Sequence, residues 1–488
     1  MRAKNKMDHD GEELNDINEL IDGNQNLDPE PDDRYHCLSS DVLRRIKRND
    51  PGVFDLIIDH GFWARGAGRA VGDNNVIQYL SVDCSLGTRN TNWVREIFQG
   101  LSRNRSIYRL SLMNYDSDVD MFHFLTPFFQ HNRNLRSLQV SAFHEGQPLH
   151  SLSLALSKCK DSQLEHIFIE TVATNDEQVG LFFDSLKQIS SLLTICFRNS
   201  FIGKVGCKSF AKLLNNPSAK IENIELGCNS IDDECASILS KALSRTKSLR
   251  EVTVLSDSFL YEDDGITTFQ TVAGWRDFVT IIAHPMCLIE HLYLTDAAIG
   301  NEVAIILGNA LAVNKSIKLL HLGRDNWGIS GCTINEEGAV VIASALADNT
   351  TLEQLRMPIN GGTDRFYDVL SNVLWDKSSI DNTFNSNHTL CKLVLYLSEG
   401  IHPSNAIEQL VEMNQNENKS EVAHQKILQH HFLEGNANMH AFARLPETSM
   451  PVALEWIGRN RDGRTLMYNF AQEFPTLFDI TLSGRYFV

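Results

Sequence analysis

The feature that most constrains this 488-residue chain is a short apolar pattern that returns at nearly constant spacing. The pattern is one apolar residue, two others, a second apolar residue, one other and a third apolar residue, as in Ile221/Ile224/Leu226. Between Ile107 and Leu249 the successive steps are 28, 29, 28, 29 and 28 residues. A register this regular indicates one structural unit that is repeated and stacked on its neighbours.

Each copy of the pattern predicts a β-strand, because alternate side chains of a strand point to the same face. The 12 copies begin at Val53, Ile77, Ile107, Leu135, Leu164, Leu192, Ile221, Leu249, Ile289, Ile317, Leu352 and Leu390. Between the strands runs a second pattern with helical spacing, which is clearest at residues 337–352. In that copy Gly338 and Ala339 are predicted to let the helix pack closely on the sheet. Asn349 is predicted to end the helix through a left-handed turn.

Two stretches make the repeat specific. Residues 221–231 fit the consensus L-x-x-L-x-L-x-x-N-x-I, and residues 310–317 fit A-L-x-x-N-x-x-L, with isoleucine in several leucine positions. Together with the alternating step, these residues resemble leucine-rich repeats of the ribonuclease-inhibitor type over about residues 53–400. The resemblance implies an α/β horseshoe solenoid of about 12 repeats, with a parallel sheet on the concave side and helices on the convex side.

Composition divides the chain into four parts. Residues 1–35 are predicted to be a disordered acidic tail, because residues 1–33 carry 11 Asp or Glu against 3 Lys or Arg and few apolar side chains. Residues 36–52 are predicted to form an N-terminal cap, and residues 53–400 the repeats. The step is lost after about residue 400, so residues 401–488 are predicted to be a helical C-terminal cap. The helices expected there lie at residues 406–413, 421–433, 451–459 and 465–474.

Two of the repeats carry insertions between strand and helix. They lie near residues 256–271 and 324–335, so they are predicted to emerge on the same rim of the array. A third insertion, near residues 376–388, follows a helix and is predicted on the opposite rim. Insertions of this kind often carry binding residues, although longer loops are also tolerated at little cost. Whether these loops or the acidic tail take part in binding stays open.

Charge and cysteine usage exclude some classes of protein. The formal net charge of -18 predicts no binding to nucleic acid or to anionic membranes, both of which repel such a surface. The 10 cysteines are scattered and form no C-x-x-C pair, which favours a reducing compartment. No signal peptide and no membrane-length apolar run are seen. The sequence therefore predicts a cytoplasmic protein, and a monomer is expected.

No motif predicts catalysis. Gly66, Gly68 and Gly72 match no phosphate-binding loop and are interpreted as packing residues of a repeat helix. His424 and His430 lie close in sequence, but no metal-ligand spacing accompanies them. The chain is therefore predicted not to be an enzyme and to hold no metal and no cofactor.

The concave face remains as the candidate site. In each strand the residues between the apolar ones point away from the core, and stacking aligns them in columns. Phe168 and Tyr293 are rigid aromatic groups of the kind that anchor interfaces. The predicted partner-binding residues are Tyr79, Arg109, His166, Phe168, Glu170, Arg198, Glu225, Glu251, His291, Tyr293, His321 and Arg356.

The leading functional hypothesis is a non-catalytic scaffold that binds a protein on this face, as the resemblance implies. A first alternative is an activator of a small GTPase of the Ran type, since such activators have similar repeats. Their acidic run, however, follows the repeats, whereas here it precedes them. A second alternative is an enzyme with its site in residues 401–488. Innate-immune sensors with such repeats also carry a nucleotide-binding module, which this sequence does not match.

Overall fold

The computed structural model describes most of the repeat region. The described residues are 40–433, except 59–65, 85–91, 114–121, 144–147, 160–161, 173, 228–230, 256–271, 296–298, 324–333, 362 and 398–404. The predicted acidic tail and the expected helices at 451–459 and 465–474 lie outside the described residues. The insertion at 256–271 and most of that at 324–335 lie outside them as well.

Twelve β-strands form one sheet, in chain order, and every neighbouring pair is parallel. In all 12 predicted patterns the second and third apolar residues lie on these strands and the first lies two residues before the strand, so the predicted solenoid is confirmed. The strands are β1 (Asp55–Ile58), β2 (Tyr79–Asp83), β3 (Arg109–Met113), β4 (Ser137–Phe143), β5 (His166–Val172), β6 (Thr194–Arg198), β7 (Asn223–Gly227), β8 (Glu251–Leu255), β9 (His291–Thr295), β10 (Leu319–Leu322), β11 (Gln354–Ile359) and β12 (Lys392–Leu397).

Fifteen α-helices are found among the described residues, and most of them connect successive strands. They are α1 (Ser40–Lys47), α2 (Ala67–Asp73), α3 (Asn92–Leu101), α4 (Thr126–His131), α5 (Pro148–Leu156), α6 (Asp176–Leu186), α7 (Lys204–Leu214), α8 (Asp233–Leu243), α9 (Val272–Ala283), α10 (Asn301–Val313), α11 (Glu336–Ala345), α12 (Asp364–Leu374), α13 (Ile380–Asn385), α14 (Asn405–Met413) and α15 (Lys419–Leu428). A 3₁₀-helix at Phe122–Leu125 precedes α4, and a π-helix at Gln429–Leu433 follows α15. The helices predicted at 406–413 and 421–433 are thus present.

The core lies between the sheet and the helices. Register places Ile224, Leu292 and Leu320 in one row of adjacent strands, with Val252 between the first two. The inward side chains of β1 to β11 are almost fully buried, since each is covered by a helix and by its neighbours in the stack. At the last strand Leu393 and Leu395 are only partly buried. They line a cavity of about 340 Å³ together with Ile407 and Val411 of α14.

Glycines let neighbouring helices approach each other. A Cβ atom on Gly100 of α3 would overlap the carbonyl oxygen of Gly68 in α2. Gly338 does the same between helices, because a Cβ there would overlap the Asn301 side chain of α10. The prediction that Gly338 packs on the sheet is therefore wrong: its missing side chain makes room for the preceding helix.

Buried asparagines connect the helix ends of successive repeats. Asn349 is not among the described non-glycine residues with a positive φ, so the predicted left-handed turn is wrong. Instead its side-chain amide donates to Leu311 O (2.8 Å) and Asn314 O (3.3 Å) of the preceding repeat. Its Oδ1 accepts from the backbone of Thr351 (3.0 Å) and Leu352 (2.8 Å). The residue thus satisfies four backbone groups, three of them in buried hydrogen bonds.

The same ladder of asparagines occurs towards both ends of the solenoid. Its other members are Asn74, Asn104, Asn132, Asn314 and Asn387. At the corresponding turns before β6 to β9 the chain instead has Ile189, Ser218, Thr246 and Met286. The ladder is therefore interrupted in the middle repeats.

A buried lysine ends the ladder after α14. Asn414 donates to Asn387 O (3.2 Å) and Leu390 O (2.9 Å), like an asparagine of one further repeat. Its Oδ1, however, accepts from Nζ of Lys426 in α15 (2.8 Å), a residue with no exposed surface. Lys426 also donates to Leu374 O (2.7 Å) and contacts Nδ1 of His388 (3.2 Å). Its ammonium thus takes the place of the backbone amides that a further strand would supply.

Candidate functional site on the concave face

The register of the sheet places all 12 predicted partner-binding residues on the face opposite the helices. All strands except β1 and β10, which have two, have at least three outward positions, and in β2 these are Tyr79, Ser81 and Asp83. The first outward position holds Tyr79, Arg109, His166, Glu251 and His291. The second holds Phe168, Glu225, Tyr293, His321 and Arg356, and the third holds Glu170 and Arg198.

Pointing outward does not make a side chain accessible. Glu225, His321 and Arg356 are only 9%, 4% and 6% exposed, because the second outward position lies between side chains of both neighbouring strands. Phe168 and Tyr293 at the same position are partly exposed. The concave face is therefore a trough with a floor of buried polar groups and partly exposed aromatic rings.

An aromatic cluster lies at the amino ends of the first strands. The ring centroid of Tyr79 is 6.4 Å from that of Phe54 and 6.2 Å from that of Tyr108. The Arg109 guanidinium lies 5.6 Å from the Tyr79 ring centroid, a cation–π distance. Sequence reasoning missed Phe54 and Tyr108. Their position in the sequence could have identified them, because Phe54 and Tyr108 come one residue before the first outward position of β1 and β3. These four residues are the amino-end cluster.

An ionic cluster occupies the middle of the trough. Arg198 pairs with the carboxylate of Glu225 and lies 3.9 Å from that of Glu170. The Cys196 thiol also hydrogen-bonds to Glu225, and burial raises the pKa of that carboxyl group. One cation therefore compensates two carboxylates, one of which is nearly inaccessible to water.

Two histidines border the ionic cluster in different environments. Nδ1 of His166 is 3.0 Å from Oγ1 of Thr194, and burial lowers the pKa of His166. Nδ1 of His291 is 3.4 Å from Oε2 of Glu251, whose hydrogen bond raises the pKa of His291. Near neutral pH, His166 is therefore the more readily deprotonated of the two.

Rings also line the last strands. His321 lies between Tyr293 and Tyr396, with centroid distances of 6.0 Å and 6.4 Å. Arg356 occupies the neighbouring second outward position in β11. The two ends of the trough thus present aromatic rings beside arginine, and its middle presents carboxylates.

Several cysteine thiols are buried in the core. Burial raises the pKa of the Cys84, Cys159 and Cys196 thiols, which keeps them protonated and unreactive. In the part of the chain that the structure describes, no three His, Cys, Asp or Glu side chains group in a way that could hold a metal ion. No helix of that part is long and apolar enough to cross a bilayer.

Comparison with known proteins finds relatives that share part of the chain. No family model matches. The chain is 24% identical over 261 residues to "NACHT, LRR and PYD domains-containing protein 3" of Homo sapiens, which covers 53% of this chain and 24% of that protein. It is 24% identical over 219 residues to ribonuclease inhibitor of Sus scrofa, covering 45% and 44% of the two chains. The matches thus span less than half of either relative.

A solved structure, an internalin from Listeria monocytogenes, is similar over 76% of this chain and 93% of its own, with 12% identity and a TM-score of 0.36. One parallel sheet with alternating helices and steps of 28 or 29 residues is the architecture that the sequence resemblance implied. The similarity to ribonuclease inhibitor agrees with that architecture. This chain has the fold of a leucine-rich-repeat solenoid, and its repeats are similar to those of the ribonuclease-inhibitor type.

Proposed function

We propose that the protein is a non-catalytic scaffold that binds a protein partner in the concave trough. The observation that carries the proposal is the preformed face of the 12-stranded sheet, on which aromatic and charged side chains remain accessible. Aromatic and arginine side chains dominate the binding energy of many interfaces. One relative, ribonuclease inhibitor, is named for acting on another protein, which fits this function.

The trough supports binding with little rearrangement of the backbone. Its side chains stand on strands that are hydrogen-bonded on both sides, so their positions are fixed before a partner arrives. The carboxylates of Glu170 and Glu251 favour a partner with basic groups opposite the middle of the trough. Phe168 and Tyr293 supply apolar anchors on either side of that region.

Replacing both anchors tests the proposal. The full-length chain is first used to capture and identify a co-purifying protein. We then expect Phe168→Ala with Tyr293→Ala to weaken that complex about 100-fold, since each lost aromatic anchor costs about tenfold in affinity. Isothermal titration calorimetry measures the change, and circular dichroism should show an unchanged fold.

A matched control comes from the helical side. Leu154 and Leu181 are 52% and 47% exposed there. The double variant Leu154→Ala with Leu181→Ala should bind like the unmodified chain. Concave binding is rejected if the helix-side pair weakens the complex and the Phe168/Tyr293 pair does not.

A further inference from the structure

The amino-end cluster brings two exposed aromatic rings together with a third. Phe54 and Tyr108 are 41% and 40% exposed, and Tyr79 lies between them. Adjacent exposed rings of this kind mark a contact surface more often than isolated ones do. Within the cluster Arg109 stacks on the Tyr79 ring. Arg105 lies exposed at the turn before β3, where it donates to backbone carbonyl groups.

Charge separates this region from the rest of the molecule. Residues 40–143 carry 13 Lys or Arg against 10 Asp or Glu, a net charge of +3. The whole chain has a net charge of -18. The first repeats are thus a basic region of an acidic protein, and they favour an acidic occupant for the amino-end cluster.

The chain itself supplies a segment of matching chemistry. Residues 8–33 contain 11 Asp or Glu and no Lys or Arg. Within them, residues 12–22 combine the carboxylates with Leu14, Ile17 and Ile21 at a spacing of three and four residues. Such spacing gathers apolar side chains on one side of a segment and leaves carboxylates on the other.

The connection to α1 is long enough. Between residue 22 and Ser40 lie 17 residues, which span up to about 60 Å when extended. The first four strands together are only about 15 Å wide, since neighbouring strands lie about 4.8 Å apart. Attachment to the same chain also gives the segment an effective concentration in the millimolar range.

We propose that residues 12–22 dock on the amino-end cluster of their own chain. The aliphatic side chains cover the rings of Phe54, Tyr79 and Tyr108, and the carboxylates lie beside Arg105 and Arg109. An outside partner that uses this end of the trough has to displace the segment. The contact itself needs no partner, so it stands or falls independently of the proposed scaffold function.

Tyrosine nitration of the full-length chain, with peptide mass spectrometry, tests the contact. We expect the variant Leu14→Ser, Ile17→Ser, Ile21→Ser to raise the nitration rates of Tyr79 and Tyr108 about tenfold, the change for a segment bound about 90% of the time. Tyr293 and Tyr396, at the far end of the trough, are internal controls whose rates should not change. A second variant converts Glu12, Glu13, Asp16, Glu19 and Asp22 to their amides and should have the same effect.

A peptide of residues 8–33, added to the triple-serine variant, should restore the protection. The same peptide with the three serines should not. Unchanged rates at Tyr79 and Tyr108 in both variants overturn the proposal, as does an equal rise at all four tyrosines, which reports general loosening. Protection that disappears on dilution of the protein also overturns it, because the occupant is then a second copy of the chain.

Discussion

At the scale of single residues, the stability of the concave face depends on whether each buried charge has an oppositely charged neighbour. Glu225 sits on the floor of the trough with its carboxylate paired to Arg198. Burial raises the pKa of Glu225, so the folded state tolerates the charged form only because the guanidinium is adjacent. The intact pair therefore leaves the folded state more stable than it would be with either charge alone.

Removing one partner should expose this dependence. We expect Arg198→Met to lower the free energy of unfolding by about 3 kcal/mol, because the Glu225 carboxylate is left buried and unpaired. Adding Glu225→Gln should recover most of the loss. Arg136→Met is the control, since its partner Glu165 is 32% exposed, and it should cost less than about 1 kcal/mol. Urea unfolding of the unmodified chain, the two single arginine variants and the double variant measures these differences. Equal losses of stability in Arg198→Met and Arg136→Met would contradict the account.

The other residue-scale prediction concerns His388. Burial and the neighbouring Lys426 lower the pKa of His388 to about 4. The folded state therefore binds fewer protons than the unfolded state between pH 6.5 and pH 4, so this group's contribution to stability falls as the pH falls through that range. His388→Asn keeps an acceptor for Lys426 and does not titrate. The stability of this variant should depend less steeply on pH between pH 6.5 and pH 4 than that of the unmodified chain, and urea unfolding at several pH values measures the slope.

At the scale of elements, the packing of neighbouring helices depends on how closely their backbones approach each other. Gly100 of α3 packs against Gly68 of α2 so closely that no side chain fits. Alanine would favour an isolated helix by about 1 kcal/mol. Overpacking at a backbone contact costs about 1–3 kcal/mol or more, and here the clash is with a carbonyl group.

Gly100→Ala should therefore destabilise the protein in spite of its better helix propensity. We expect the thermal unfolding midpoint to fall, while Gln99→Ala, at the exposed neighbouring position, leaves it nearly unchanged. A midpoint that rises in Gly100→Ala would show that α2 and α3 do not approach as described.

Elements were also what the sequence predicted best. The period of the apolar residues sets both the strand positions and the register, so the sequence alone places Ile224, Leu292 and Leu320 in one row of the sheet. The role of Asn349 could not be read from its residue type. An asparagine serves a left-handed turn and a side-chain ladder equally well, and only the preceding repeat's carbonyl groups distinguish the two.

At the scale of the whole molecule, the sequence predicted which side chains face the trough but not how deep they lie. His321 and Tyr293 occupy the same outward position, yet one is buried and the other partly exposed, because burial depends on the size of neighbours in other strands. Lys426 was missed for a related reason. Its partners Leu374, His388 and Asn414 are 12 to 52 residues away in the chain.

The interrupted asparagine ladder has a mechanical consequence. Towards both ends of the array a buried asparagine braces each repeat to the one before it. Before β6 and β7 a different amide side chain makes one such bond, from Gln188 to Leu156 O (2.9 Å) and from Asn216 to Lys187 O (2.9 Å). The turns before β8 and β9 contain no asparagine or glutamine. Deformation under load concentrates where these contacts are fewest, so the span around Glu251 and His291 is the most compliant part of the horseshoe. Bending there changes the distance between the two aromatic ends of the trough. The width of the trough can therefore adapt to the size of a bound partner.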